Sequence, residues 1–260
     1  MGILNTTPDS FSDGGSWANV VDGVAHAERM LAEGADIIDV GGESSRPGAE
    51  PVTLDEELRR TIPVIEQLAD RCVLSIDTTK PEVAEAALAA GAHIVNDISA
   101  SLEEVAGAGH AGWIAMHMQG EPSTMQDEPH YGDVVTEVLE FLGDATDRGE
   151  RAGIEHIWVD PGIGFGKKTS HNVELLQNLH KFARVGPGLM IGVSKKRLIA
   201  QLHAMSDQRD GNIAMNDRRE ASMVAAVWAW THGANIVRVH DVRAASIAAQ
   251  HIRHMEDLRR

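Results

Sequence analysis

The amino-acid sequence predicts an α/β fold, namely a single (β/α)₈ barrel of the TIM type that spans residues 1–260. One sequence motif occurs three times: a helical stretch ends in Gly-Ala, and a polar residue and two branched apolar residues follow. It stands at Glu33–Ile38, Ala90–Val95 and His232–Val237. A glycine in the left-handed conformation ends a helix, and here a buried strand follows at once. The length agrees, because 260 residues divided among eight units leave about 32 for each, and such barrels take roughly 250 residues.

Eight short apolar runs supply the predicted strands. They lack strict alternation, which is typical of parallel strands that are covered on both faces. The runs are Gly2–Asn5, Val73–Asp77, Trp113–His117, His156–Asp160 and Leu189–Val193, together with those that begin at Ile37, Ile94 and Ile236. An open, doubly wound sheet is the rival fold, but no Gly-x-Gly-x-x-Gly turn follows the first run.

Helical periodicity fills the gaps between these runs. The predicted helices are Val20–Ala32, Leu54–Ala69, Pro81–Ala90, Val134–Ala152, Asn172–Ala183, Ala221–His232 and Val242–Leu258. Pro81 suits a first helical turn, with Thr79 as its cap. Pro63 falls inside the second helix, which a proline is expected to kink or interrupt.

Composition narrows the class of protein. The chain has 23 Lys and Arg against 39 Asp and Glu, a formal net charge of −16, which argues against a general nucleic-acid surface. The single cysteine, Cys72, excludes an internal disulfide framework. No apolar run approaches the length needed to cross a bilayer, and no basic and apolar leader follows Met1. We therefore expect a cytoplasmic protein that binds neither nucleic acid nor membrane.

Polar residues end the predicted strands. In (β/α)₈ barrels the C-terminal strand ends and the loops after them carry the functional side chains. The residues at these positions are Asn5, Asp39, Asp77, Asn96, Asp97, His117, Asp160, Ser194, Arg238 and His240. One such residue is ordinary where a strand meets a loop, but this many charged residues at one end of a barrel predict a site.

Three of these residues form an acidic group: Asp77, Asn96 and Asp160. Carboxylates and an amide suit a flat heterocycle with several N–H donors and acceptors, because one carboxylate accepts two parallel N–H bonds. Metal ligation is the competing use of such acids.

The last two strands end in a cationic group. Arg238 and His240 are two positions apart, so their side chains share a face of the strand. Lys195 and Lys196 follow the seventh strand, and the loops after strands seven and eight of such barrels often bind phosphate. These cations would offset the charge of a phosphate or of a pyrophosphate leaving group.

Two loops are long for strand-to-helix connections. Thr6–Trp17 is rich in Ser, Asp and Gly around Phe11, and Gly41–Val52 carries Arg46–Gly48. Both are poor in helix formers, which predicts mobile lids over the end of the barrel.

These motifs, taken in order, resemble the dihydropteroate synthase family from the first residue to beyond Val242. The matching segments are 2–15 (GILNTTPDSFSDGG), 39–48 (DVGGESSRPG), 75–78 (SIDT), 96–97 (ND), 116–120 (MHMQG), 160–167 (DPGIGFGK), 194–197 (SKKR) and 238–242 (RVHDV). Each motif alone is weak, but their order and their positions in barrel loops are specific to the family.

The resemblance implies a transferase of folate biosynthesis. Its reaction joins p-aminobenzoate to 6-hydroxymethyl-7,8-dihydropterin pyrophosphate and gives 7,8-dihydropteroate and pyrophosphate, through a cation at the pterin methylene. The implied cofactor is Mg²⁺. The family is a sulfonamide target and is usually a homodimer through its later helices, where Val224, Trp228 and Ile247 are candidates that suit a core equally well.

The resemblance also implies the site residues. The pterin would be bound by Asp77, Asn96, Met116, Asp160 and Lys196, and the pyrophosphate by Asn5, Ser45, Arg46, Arg238 and His240. p-Aminobenzoate would be bordered by Phe11, Pro47, Phe165, Lys196 and Arg197. Asn5 would lie near the Mg²⁺ ion, and the implied catalytic residues are Asp13, Arg46, Asp77, Asp160, Lys196 and Arg238.

The sequence also departs from the family pattern. Family members usually carry a further segment before the strand that begins here at Gly2, Met205–Asn216 does not align, and Lys195 stands where Arg is commoner. Two rival functions remain: a pterin-binding methyltransferase that passes a methyl group to a corrinoid, and a catalytically silent regulatory subunit.

Overall fold

A computed structural model describes residues 1–6, 16–44, 50–208 and 213–257 of the chain. Eight parallel strands alternate with helices over these residues. The strands are β1 (Gly2–Asn5), β2 (Ile37–Gly41), β3 (Val73–Asp77), β4 (Ile94–Asp97), β5 (Gly112–Met116), β6 (Ile157–Asp160), β7 (Gly188–Ile191) and β8 (Ile236–Val237). The helices are α1 (Ser16–Ala32), α2 (Leu54–Leu68), α3 (Pro81–Ala89), α4 (Glu103–Ala108), α5 (Val134–Arg151), α6 (Thr169–Gln177), α7 (Leu179–Phe182), α8 (Arg197–Ser206), α9 (Arg219–Thr231) and α10 (Val242–Asp257), with a 3₁₀ turn at Met215–Arg218.

The strands pair in chain order from β1 to β8, and each pairing is parallel. A doubly wound sheet reverses its strand order at a switch point, so that rival fold does not describe this sheet. The two ends of the order also meet. Ile3 N donates to Val239 O at 3.1 Å, Val239 N donates to Met1 O at 3.0 Å, and Gly2 pairs with Val239 in a parallel bridge. The predicted α/β class with eight parallel strands is confirmed.

Each copy of the Gly-Ala motif ends a helix with the same geometry. Gly34, Gly91 and Gly233 have φ of 98°, 108° and 104°, in the left-handed region. The same ending recurs at His110 and Gly153, with φ of 51° and 80°. In all five, the amide of the following residue donates to the carbonyl five residues before it, at between 2.9 and 3.1 Å. These bonds satisfy helix carbonyls that would otherwise lack partners, and the next strand begins within a few residues.

Side chains of the sheet alternate between two faces. The outer face packs beneath the helices in the larger core cluster, which contains Leu4, Ile38, Leu74, Trp113 and Val159. The inner face carries a smaller apolar cluster of Ile94, Ile114, Met190 and Ile236, with Met1, Ile37 and Trp158 against it. Two positions further along three of these strands come Asp39, Asn96 and Arg238. The alternation places these three on the inner face as well, one layer closer to the C-terminal strand ends.

Several helices differ from those that the sequence predicts. The predicted helix Asn172–Ala183 is instead α6 and α7, which are separated at Asn178 with φ −110° and ψ 17°. The Asn178 side chain donates to Glu174 O at 2.8 Å and so competes with helical hydrogen bonding. The sequence also missed α4, which has only six residues, and α8.

The predicted cap of α3 was also wrong, and Pro63 does not interrupt its helix. Helix α2 runs without interruption through Pro63. Lys80, not Thr79, is the N-cap of α3, and its side chain forms no capping bond. Instead the hydroxyl of Thr78 accepts from Lys80 N at 3.1 Å. Among the described helices, none is long and apolar enough to span a membrane.

Candidate functional site

The described part of the chain includes ten of the predicted site residues. Asn5, Asp77, Asn96, Met116 and Asp160 lie within the last two positions of their strands, and Phe165, Lys196, Arg197, Arg238 and His240 follow strands β6, β7 and β8. Phe11, Asp13, Ser45, Arg46 and Pro47 lie outside the described residues. The polar members from β1 to β8 thus share the C-terminal end of the sheet, as parallel strands require.

Arg238 joins the acidic group to the cationic group. Its Nε donates to Asp39 Oδ2 at 2.6 Å, and its Nη2 donates to Asp77 Oδ2 at 2.7 Å. The Asp39 side chain is fully buried, and that of Asp77 is 14% exposed. Charge-assisted hydrogen bonds of this kind are strong when they are shielded from water. Arg238 of the cationic group is therefore in direct contact with Asp77 of the acidic group.

The sequence predicts Asp39 at a strand end but predicts no role for it. Besides Arg238, its Oδ2 accepts from Asn96 Nδ2 at 3.0 Å. Asp39 Oδ1, Asn96 Oδ1 and Ser75 Oγ are buried and have no partner within the described structure. Buried polar atoms in proteins are nearly always hydrogen-bonded, so this layer has unused capacity for water or for a ligand.

Asp77 lies where several charges meet. Burial raises the pKa of Asp77 to about 7; Arg238 opposes that rise, whereas Asp39 and Glu57 add to it. Glu57 is itself buried and accepts from Thr78 Oγ1 at 2.7 Å and from Lys80 Nζ at 2.5 Å. A carboxyl with a pKa near neutrality can carry its charge or lose it, depending on what binds beside it.

Gly41 brings Asn5 close to Asp77. A Cβ added at Gly41 would lie 3.5 Å from Asp77 Cβ and 3.9 Å from Asn5 Oδ1. The Asn5 amide oxygen and the Asp77 carboxylate therefore flank one glycine of β2. The missing side chain leaves room beside both groups at this end of the sheet.

Asp160 and Lys196 form the second half of the site. Asp160 Oδ1 accepts from Gly162 N at 2.8 Å, and burial raises the pKa of this carboxyl. Lys196 Nζ donates to Ile163 O at 2.6 Å and lies 4.4 Å from the centre of the Phe165 ring. Burial lowers the pKa of Lys196 to about 8, with Asp160 opposing that fall.

Lys196 also lies near Arg238. A Cβ added at Gly192 would lie 3.8 Å from both Lys196 Nζ and Arg238 Cβ. The two cations therefore flank Gly192, just as Asn5 and Asp77 flank Gly41. Charged side chains of both signs therefore lie close together at this end of the sheet, one layer beyond the inner apolar cluster.

The comparisons with known proteins agree on one family. The model of the pterin binding enzyme family matches residues 1–240. The dihydropteroate synthase of Escherichia coli strain K12 is 47% identical over 252 residues, which cover 94% of this chain and 86% of that protein. The chain belongs to the dihydropteroate synthase family. The predicted resemblance is confirmed.

Solved structures of dihydropteroate synthases share the fold. The Xanthomonas albilineans enzyme with 4-aminobenzoic acid has a TM-score of 0.89 at 42% identity, covering 98% of this chain and 92% of that one. The same organism's enzyme in complex with 7,8-dihydropteroate has a TM-score of 0.85 at 39% identity, with coverages of 98% and 92%. At such identities the chain shares its overall architecture with these dihydropteroate synthases.

Not every strand-end residue of this dihydropteroate synthase family member faces the site. Asp97 accepts from the amides of Ser99, Ser101 and Leu102 and from Trp113 Nε1, so it holds the β4–α4 connection. Because Asn96 and Asp97 are adjacent on a strand, they point to opposite faces. His240 does lie at the site end, where its Nδ1 is 3.0 Å from Ser194 Oγ.

The residues present fit Mg²⁺ only in a limited way. The described residues contain no group of three His, Cys, Asp or Glu side chains that could enclose a metal ion. Mg²⁺ commonly keeps several waters and binds through one or two protein oxygens together with substrate phosphates. The Asn5 amide oxygen beside Asp77 suits that second arrangement.

Proposed function

We propose that this chain condenses p-aminobenzoate with 6-hydroxymethyl-7,8-dihydropterin pyrophosphate to give 7,8-dihydropteroate and pyrophosphate. The observation that carries the proposal is the Arg238 guanidinium, which bonds to both Asp39 and Asp77 at the strand ends. One residue thus links the acids suited to a pterin with the cations suited to a diphosphate. The related structures with 4-aminobenzoic acid and with 7,8-dihydropteroate support the same substrate and product.

We also propose that the sheet closes as a single (β/α)₈ barrel. The backbone bonds between Val239 and the pair Met1 and Ile3 support closure, since they join the first strand to the residues just after the last. Closure would make the inner apolar cluster the floor beneath these charged side chains.

The acidic half of the site binds the pterin. Asp77, Asn96 and Asp160 supply carboxylate and amide oxygens to the N–H groups of the heterocycle, and Lys196 donates to its other edge. Met116 lies buried at the end of β5 and contributes an apolar contact. Asn96 supports this assignment, because its Oδ1 is buried and has no partner within the described structure, while its Nδ2 donates to Asp39.

The cationic half binds the pyrophosphate. Arg238, His240 and Asn5 lie at the strand ends, and Ser45 and Arg46 would add to them from the β2–α2 loop. A guanidinium that already balances Asp77 can turn toward phosphate oxygens once the pterin N–H groups occupy that carboxylate. Cations at the leaving group stabilise the charge that grows there as the bond breaks.

The p-aminobenzoate site borders both halves. Phe165 and Lys196 form one wall, with Lys196 Nζ over the aromatic ring. Arg197 begins α8 beside them and is exposed. Phe11 and Pro47 would complete the site from the two predicted lids.

The reaction breaks the bond between the pterin methylene carbon and the pyrophosphate oxygen, and the electron pair leaves with pyrophosphate. The Asp77 and Asp160 carboxylates stabilise the resulting methylene cation. The p-aminobenzoate nitrogen then bonds to the methylene carbon and releases one proton to water. Asp13 and Arg46, as lid residues, would exclude the bulk water that otherwise captures the cation. Bound Mg²⁺, held by Asn5, would add positive charge at the phosphate oxygens.

Assembly and inhibition follow the family expectation. Val224, Trp228 and Ile247 are 71%, 43% and 40% exposed, so they are not core residues of this chain. We therefore propose a homodimer through α9 and α10. Sulfonamides would compete at the p-aminobenzoate site.

The decisive assay follows pyrophosphate release. We expect release only when the pterin substrate, p-aminobenzoate and Mg²⁺ are all present, and an Arg238→Ala variant should raise KM for the pterin substrate strongly. Unchanged kinetics in that variant would refute the role of Arg238. Release without p-aminobenzoate would indicate a hydrolase, no release would favour a silent subunit, and methyl transfer to a corrinoid would favour the methyltransferase.

A further inference from the structure

Lys167 is a buried lysine that the proposed reaction does not use. The residue is 3% exposed, and its Nζ has four acceptors within hydrogen-bond distance. They are His117 Nδ1 at 2.9 Å, His117 O at 3.2 Å, Gly162 O at 3.1 Å and Phe165 O at 2.9 Å. An ammonium group has three protons, so these acceptors use all of them.

The hydrogen-bond acceptors around Lys167 suit an ammonium group, whereas its burial opposes the charge. Burying a charge is costly unless hydrogen bonds replace its hydration. Burial lowers the pKa of Lys167 to about 7, and Asp160 opposes that fall. The three carbonyl oxygens can only accept, so they favour the protonated form. Burial also lowers the pKa of His117 to about 3, and the neutral ring can therefore accept from Lys167 through Nδ1.

The acceptors belong to two different segments. His117 follows β5, whereas Gly162 and Phe165 lie in the segment Pro161–Gly166 between β6 and α6. The segments touch through their backbones, because a Cβ at Gly162 would lie only 1.8 Å from His117 O. Gly162 also has φ of 66°, which glycine adopts without strain. Lys167 therefore bonds both sides of a close backbone contact.

The segment Pro161–Gly166 contacts two groups that we assign to the pterin. Its Ile163 carbonyl accepts from Lys196 Nζ at 2.6 Å, and its Phe165 ring lies 4.4 Å from the same atom. Its Gly162 amide donates to Asp160 Oδ1 at 2.8 Å. Any shift of this segment would move both charged groups.

We propose that Lys167 is a positioning residue, whose ammonium group fixes the segment Pro161–Gly166 against the end of β5 and so orients Lys196 and Asp160 for the pterin. This inference rests on the proposed function for the identity of the ligand. Lys167 does not itself touch the pterin, because its protons are already shared among four protein acceptors. The pyrophosphate residue Arg238 bonds instead to Asp39 and Asp77, which lie outside the segment.

Asn172 also holds the same segment. Asn172 Oδ1 accepts from Gly164 N at 2.7 Å, and Asn172 Nδ2 donates to Lys168 O at 2.8 Å. Asn172 is uncharged, so its removal tests the position of the segment without changing the charge of the site. Lys181 on α7 is exposed and offers a matched control for the loss of a lysine.

The test compares the binding of two ligands by calorimetry. The variants are Lys167→Met, Asn172→Ala and the control Lys181→Met, and the probes are 6-hydroxymethylpterin and inorganic pyrophosphate with Mg²⁺. We expect Lys167→Met to weaken pterin binding roughly 10- to 100-fold and Asn172→Ala to weaken it less, because small displacements of binding groups are costly. Pyrophosphate binding should remain within about twofold of the parent, and Lys181→Met should change neither affinity.

Each outcome decides the proposal. Equal losses for pterin and pyrophosphate would indicate a general loss of structure and would overturn the positioning role, as would unchanged pterin binding in Lys167→Met. If Lys167→Met does not fold, the same selective loss in Asn172→Ala supports the proposal, and its absence refutes it. A parent protein that binds no pterin would refute the proposed function instead, so the two failures are distinguishable.

Discussion

Replacing Arg238 with methionine should destabilise the protein, and the loss should grow with pH. The variant removes the guanidinium between Asp39 and Asp77 but keeps a side chain of similar length. Both carboxyls then lose their nearest cation, and Asp39 is fully buried. Removing one partner of a buried ion pair typically costs about 3–5 kcal/mol, because the other charge remains buried and unpaired.

The pH dependence follows from Asp77. Its pKa is about 7 in the folded protein, above the roughly 3.9 of an exposed aspartate. Because the pKa of Asp77 is higher in the folded protein, the protonated carboxyl stabilises the fold at low pH. This part of the free energy of unfolding is lost as pH rises from about 4 to about 7, and above that pH the free energy of unfolding no longer changes through Asp77. Arg238 lowers the pKa of Asp77, so its removal raises that pKa further and extends the loss to higher pH. Each additional pKa unit adds about 1.4 kcal/mol to the deficit.

Thermal unfolding at about pH 6, 7, 8 and 9 measures this effect. A loss of about 3–5 kcal/mol lowers Tm by roughly 6–20 °C in a chain of this size. Arg59→Met is the control, since Arg59 pairs with Glu56 at 2.6 Å on an exposed face of α2. Exposed pairs contribute less than about 1 kcal/mol, so the control should stay close to the parent at every pH. A deficit for Arg238→Met that is no larger than the control's, or that does not grow above neutral pH, would refute the reasoning.

Three further predictions concern turnover. In Asp39→Asn, the acid limb of kcat/KM should shift to lower pH, because Asp39 raises the pKa of Asp77; a shift to higher pH would contradict this. In Asp160→Asn, the alkaline limb of kcat/KM should also shift to lower pH, because Asp160 raises the pKa of Lys196, which lies at about 8. An unchanged alkaline limb would show that the protonation of Lys196 does not control turnover. Chelation of Mg²⁺ should abolish pyrophosphate release yet leave the Tm of the unliganded protein unchanged, because the described residues form no metal cluster of their own; a fall in Tm would indicate a structural metal site.

Local features of the fold could be predicted from the sequence. The sequence motif around Gly34, Gly91 and Gly233 predicts both a helix end and the strand after it, and each glycine has the expected left-handed conformation. Polar residues after apolar runs identified the strand ends. The break at Asn178 was missed because helical periodicity continues across it, whereas the Asn178 side chain bonds to Glu174 O at the end of α6.

The contacts of the site join residues that are far apart in the sequence, so the sequence alone did not predict them. Arg238 and Asp39 are 199 residues apart, and only the curl of the sheet brings them together. Lys167 was part of a recognised motif, yet its partner His117 lies 50 residues earlier. Asp97 is also predicted at a strand end, but it lies one position after Asn96 and therefore points to the other face of the strand. There it accepts from Leu102 N and holds a loop instead of facing the site.

A crystal structure with bound pterin and pyrophosphate tests the central claim most directly. The account predicts that Asp77, Asn96 and Asp160 accept from the N–H groups of the pterin, while the Arg238 guanidinium has turned from Asp77 to a phosphate oxygen. A pterin bound away from these acids, or a diphosphate at the opposite end of the sheet, would contradict it.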